Sequence, residues 1–204
     1  MAPSEVIGLL RGQAGEVLVA KAGLRTLVDL AQRAGGSRAC VEAGAVPAIV
    51  DALRAHGTVA RVAEFACLAL ARLSASEGPP RDACAAAVPA IAAVLRLHLG
   101  AEALAEYACA ALVNIAATPA GREACVGVGA VPVIVAALTA HAGVASVAQN
   151  ACWVLFSIAA LDRGREACVA AGAVPAIRAS VGAHPGNAGV AVIACRTLVV
   201  LNFH

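Results

Sequence analysis

Residues 121–161, "GREACVGVGAVPVIVAALTAHAGVASVAQNACWVLFSIAAL", hold three helical patterns in succession, and most of the chain is a variation on them. The first, "REACVGVG", is a short amphipathic segment that stops at Gly129, and glycine suits a helix C-terminus because it accepts the left-handed conformation required there. The second, "VPVIVAALTAH", carries a proline in its first turn, where the missing N–H costs nothing. It sets Val131, Ile134, Val135 and Leu138 on one face. The third, "VASVAQNACWVLFSIAAL", puts Val147, Ala151, Leu155 and Ile158 on its buried stripe, with Cys152 beside them.

The same unit recurs along the chain. Cys67, Cys109, Cys152 and Cys195 lie 42, 43 and 43 residues apart, and Cys40, Cys84, Cys125 and Cys168 lie 44, 41 and 43 apart. His56, His98, His141 and His184 keep intervals of 42, 43 and 43, as do Pro47, Pro89, Pro132 and Pro175. Residues 1–37 read as a second and third helix only, with Leu24 in the column of Cys67. Full repeats follow at about 38–80, 81–121, 122–164 and 165–204. In the 81–121 copy Cys84 stands five residues before its proline, where the other copies have seven, so its first helix is expected to be shortened. The chain stops at "TLVVLNFH", the end of a third helix, without the polar terminal repeat that shields a solenoid's last interface. This end is expected to continue into a longer array or to pair with another chain.

Composition narrows the function classes. Apolar residues make up 61% of the 204 and aromatics only 2%, so the core must be built from small side chains. The formal charge of +2 is spread without runs and gives no electrostatic case for nucleic acid or an anionic membrane. The uncharged stretch from Ala124 to Leu161 is interrupted by Pro132, His141, Gly143, Gln149 and Asn150 and is rich in alanine, which argues against a membrane span. Glu5 stands where a signal peptide would be apolar, so a cytoplasmic chain is expected, with the nucleus as the alternative.

Eight cysteines prompt a search for metal or redox motifs, but CxxC, HxxxH and HExxH are absent from the sequence. Equivalent residues of stacked helices sit about 10 Å apart, whereas zinc needs four ligands at about 2 Å. Only adjacent-helix pairs within one repeat leave a route to a metal, so no metal and no cofactor is expected. The cysteine columns read as small residues at close helix contacts. The histidine column ends the second helix, where an imidazole can bond that helix's last carbonyls. No nucleophile or acid recurs around it, and no catalytic triad is visible.

Repeats of this length match the range of armadillo and HEAT units, and the three-helix division favours the former. "EAGAVPAIVDALRAH", "VGAVPVIVAALTAH" and "AGAVPAIRASVGAH" resemble the armadillo junction between first and second helices, and "NACWVLFSI" and "YACAALVNI" resemble its third-helix signature. The resemblance covers nearly the whole chain and implies an all-α, right-handed α-solenoid of about five three-helix repeats, the first lacking its first helix.

Helical spacing groups Trp153 with Gln149 and Ser157, on the side away from Leu155. The resemblance implies that third helices line a concave groove, in which some relatives use a Trp followed four residues later by an Asn to hold an extended peptide. Here the Trp column reads Arg25, Leu68, Ala110, Trp153 and Arg196, and the Asn column reads Asp29, Arg72, Asn114, Ser157 and Val200. No repeat holds both, and Glu64 and Glu106 are the only acids one turn before the Trp column, which argues against an importin-like reading of basic nuclear-import peptides. Five repeats at about 10 Å would give a groove about 50 Å long, enough for about 15 extended residues. Arg25, Arg72 and Arg196 interleaved with Asp29, Glu64 and Glu106 suggest a mixed-charge protein or peptide partner anchored at Trp153. The expected function is a non-catalytic interaction module. Its alternatives are an enzyme-associated repeat bearing a metal or reactive thiol, and an array that self-associates through its end helices.

Overall fold

Glycine and proline divide the chain into helices at the points the repeat requires. A computed structural model describes residues 1–202. The last two residues of the repeat expected over 165–204, and the fifth histidine, His204, lie outside the described residues. The first repeat consists of α1 (Pro3–Gly12) and α2 (Val17–Ala31). The second contains α3 (Gly36–Glu42), α4 (Ala45–His56) and α5 (Ala60–Ser74). The third has α6 (Pro79–Ala83), a 3-10 turn over Cys84–Ala87, α7 (Val88–Leu97) and α8 (Glu102–Ala116). The fourth has α9 (Pro119–Gly127), α10 (Ala130–Ala140) and α11 (Ala145–Ile158), and the fifth α12 (Asp162–Ala170), α13 (Ala173–Ala183) and α14 (Ala188–Asn202). Each first helix starts two or three residues ahead of the boundary read from the sequence: glycine or proline opens α3, α6 and α9, and Asp162 opens α12.

Three junctions between first and second helices turn on a left-handed glycine: Gly44 (φ +90°), Gly129 (φ +63°) and Gly172 (φ +76°). The third repeat has Ala87 there, in right-handed conformation (φ −87°, ψ −10°), so its shortened first helix runs through the 3-10 turn into α7 without the left-handed step. A second glycine column does a different job. A Cβ on Gly36, Gly121 or Gly164 would lie 2.0 Å from the Leu30 carbonyl oxygen, 1.9 Å from that of Ile115 and 2.2 Å from that of Ile158. These glycines let each first helix close on the end of the preceding third helix. They went unnoticed in the sequence.

The third helices α2, α5, α8, α11 and α14 stack in order, each on the next. Their contact faces are small: Ala63, Ala66 and Cys67 on α5, Ala105, Ala108 and Cys109 on α8, and Ala148, Ala151 and Cys152 on α11 are fully buried. Small side chains allow close axial approach, and Val147, Leu155 and Ile158 are buried beside them as the periodicity implies. Among the described residues three hydrogen bonds tie neighbouring third helices: Asn114 Nδ2 donates to the Ala71 carbonyl at 3.2 Å and to the Ser74 hydroxyl at 3.4 Å, and the Thr197 hydroxyl donates to the Cys152 carbonyl at 3.2 Å.

Three of the four histidines in the column act between repeats, not within their own helix as the sequence suggested, while the Nε2 of His184 has no partner among the described residues. Nε2 of His56 lies 2.7 Å from the Ala14 carbonyl oxygen, that of His98 2.7 Å from Gly57, and that of His141 2.7 Å from Leu99. Each ring donates to the carbonyl just past the second helix of the preceding repeat, because stacking brings that open end within reach of the imidazole. Among the described residues no single helix is long and apolar enough to cross a membrane; α9 and α10 pass such a test only together, and they meet at 86°.

Candidate functional site: the third-helix face

All four aromatic residues among those described sit on third helices, and all four are half-buried: Phe65 on α5, Tyr107 on α8, Trp153 and Phe156 on α11. The core uses none of them. Trp153 and Phe156 meet edge to face, with centroids 5.8 Å apart and planes at 85°. From the adjacent helix α14 the Arg196 guanidinium lies over both rings, 5.4 Å from the Trp153 centroid and 4.9 Å from that of Phe156. On α5, Arg61 lies 5.4 Å over the Phe65 ring and pairs with Glu64 at 2.6 Å.

The structure therefore brings together Trp153 and Arg196, members of one sequence column on successive third helices. Arg25 and Asp29 on α2, Arg72 on α5 and Gln149 on α11 are exposed, while Leu68, Glu106 and Ser157 are half-buried. Glu64 is neutralised by Arg61, and Asn114 spends its amide on the end of α5 rather than standing free. Arg25 and Arg196 are at opposite ends of the stack and do not meet. The sequence reading missed Phe65, Tyr107, Phe156 and Arg61. Phe65 and Tyr107 share a column, 42 residues apart, in a chain otherwise almost without aromatics, and that signal could have found them.

Charge is unevenly distributed along this face. Helix α11 carries no Asp, Glu, Lys or Arg, and Arg196 is the one charged residue on α14. Among the described residues Arg25, Arg72 and Arg196 form no ion pair, and neither do Asp29 and Glu106.

The cysteines offer little chemistry. Burial pushes the thiols of Cys84, Cys109, Cys125 and Cys168 up to about 12. Cys152 is pushed to about 11 by burial, opposed by a hydrogen bond with Ser180. Cys40 and Cys67 are likewise raised, Cys67 by burial and then by its neighbour Cys109. A thiol must ionise to act as a nucleophile, so these seven are poor ones. Cys195, expected to share the burial of its column, is exposed because no helix lies over that part of α14. Among the described residues no group of three or more His, Cys, Asp or Glu side chains could hold a metal ion.

No protein-family model matches the sequence, and no curated protein matches it. Among solved structures the chain is similar to an engineered protein from a structural genomics consortium, at 26% identity and a TM-score of 0.81, covering 98% of this chain and 78% of that one. It is also similar to a designed armadillo repeat protein in complex with peptide (KR)4, at 22% identity and a TM-score of 0.79, covering 98% of this chain and 81% of that one. The chain is thus an α-solenoid with the armadillo-like repeat fold, and its third helices carry the aromatic face.

Proposed function

We propose that the chain is a non-catalytic interaction scaffold that binds an extended peptide or a helix of a partner protein in a groove lined by α2, α5, α8, α11 and α14. The observation that carries this reading is the placement of every described aromatic side chain on that face, half-exposed, while the core is built from Ala, Val, Leu, Ile and Cys. Rigid aromatics at a surface supply most of the binding energy in recognition, whereas a core without them wastes nothing that packing needs. The seven buried thiols with raised pKa support a non-catalytic role. The designed relative that holds a peptide supports a peptide as partner. A cytoplasmic setting, with the nucleus as the alternative, suits the reduced cysteines.

The test is selection from a displayed library of random peptides, followed by fluorescence polarisation with the selected peptides. Trp153→Ala and Arg72→Glu weaken binding in this reading, while Arg178→Glu, on the exposed side of α13, leaves it unchanged. Selected peptides indifferent to both groove variants but lost with Arg178→Glu would overturn it.

A further inference from the structure

We infer that the partner segment lying over α11 and α14 is acidic and apolar: an Asp or Glu side chain seated on Arg196, with a bulky apolar residue beside it. This rests on the groove reading above and deepens it. Arg196 is the sole charge on two neighbouring groove helices and has no carboxylate partner among the described residues. Its guanidinium is held over Trp153 and Phe156, and a guanidinium stacked on rings keeps its N–H edge for a planar acceptor such as a carboxylate, with two parallel hydrogen bonds.

The surroundings specify the second feature. One turn to either side of Arg196 on α14 are Val192, exposed to 58%, and Val199, exposed to 53%, with Val200 half-buried next to them. A lone cation set among aromatic and aliphatic side chains fits a carboxylate flanked by apolar side chains, and such a patch loses water on binding, which strengthens the ion pair. It also selects against the opposite sign. The Trp153 face already carries a cation, so a ligand Lys or Arg would have to displace Arg196 and meet a like charge without a nearby acid to offset it. The peptide (KR)4 of the designed armadillo protein is therefore the wrong class of ligand for this end of the groove. Over α2, α5 and α8 both signs are present, Asp29 and Glu106 among Arg25 and Arg72, so the preference is confined to the α11–α14 end.

The experiment uses three short, C-terminally amidated, fluorescein-labelled peptides in which Leu and Phe alternate with Glu, with Gln or with Lys. Binding is followed by fluorescence polarisation for wild type, Arg196→Glu and Trp153→Ala, with circular dichroism showing that each variant is folded. The expected result is that wild type binds the Glu peptide about tenfold tighter than the Gln peptide and the Lys peptide most weakly. Arg196→Glu inverts the order of the Glu and Lys peptides, and Trp153→Ala weakens the Glu peptide. Equal or stronger binding of the Lys or Gln peptide by wild type, with Trp153→Ala weakening all three, would overturn the acidic preference and leave the groove reading standing. Binding that ignores both variants, or no binding of any peptide, would overturn the inference and count against the groove as well.

Discussion

Trp153 and Leu155 are two residues apart on α11 and serve opposite faces. Leu155 is fully buried, so Leu155→Ala leaves a cavity and is expected to cost about 2–5 kcal/mol in chemical denaturation. Trp153→Ala, at a half-buried position, costs less than Leu155→Ala in the same titration; a larger loss would place Trp153 in the core. This division was legible in the sequence, because residues four apart share a helix face. The tie from Asn114 to Ala71 was not, since its acceptor lies 43 residues away and comes into reach only through the stacking of α8 on α5. The same holds for the histidines. His98→Ala strands the Gly57 carbonyl and is expected to cost about 1–3 kcal/mol, and a fall in melting temperature comparable to a surface alanine substitution would show the bond to be dispensable. Cys195 shows the limit of column reasoning: position made it equivalent to Cys152, but burial depends on what covers it. With a thiol-specific reagent at neutral pH, Cys195 is expected to react quickly and the other seven slowly.

At the scale of the helix, two glycine columns that look alike differ in what they prevent. Gly129 faces open space and needs its left-handed φ of +63°, so Gly129→Ala carries only a conformational cost, about 1–2 kcal/mol. Gly121 has an ordinary φ but no room: a Cβ would press on the Ile115 carbonyl oxygen, and α9 would have to move off the end of α8. Gly121→Ala is therefore expected to lower the melting temperature more than Gly129→Ala, and the reverse order would remove close approach as the reason for that column. The first column was readable because turn chemistry is local. The second concerns a contact between helices, which spacing alone does not show. The third repeat was readable as short, since two residues were missing before Val88, but the 3-10 turn that absorbs the loss emerges only from the packed structure.

Over the whole molecule, periodicity carried most of the architecture, because each repeat touches chiefly its neighbours and one unit repeated explains the stack. The candidate site was less legible, since it depends on how adjacent third helices present side chains to one another. The buried thiols give the whole stack a pH dependence. In the unfolded chain they ionise from near 9, while in the folded chain several hold their protons to about 12. Between those values the unfolded state binds fewer protons than the folded one, so stability falls as pH rises. Thermal melts at pH 8 and pH 10.5 are expected to show a lower midpoint at the higher pH, and an unchanged midpoint would mean that these thiols are not protected by the fold. The placement of the aromatics has a spectroscopic consequence. The chain has a single indole, and it sits on the proposed groove beside a cation, with the one tyrosine on the neighbouring helix of the stack. Excitation absorbed by Tyr107 passes to Trp153 across about one helix-packing distance, so the emission of the unlabelled protein reports on this face and on almost nothing else.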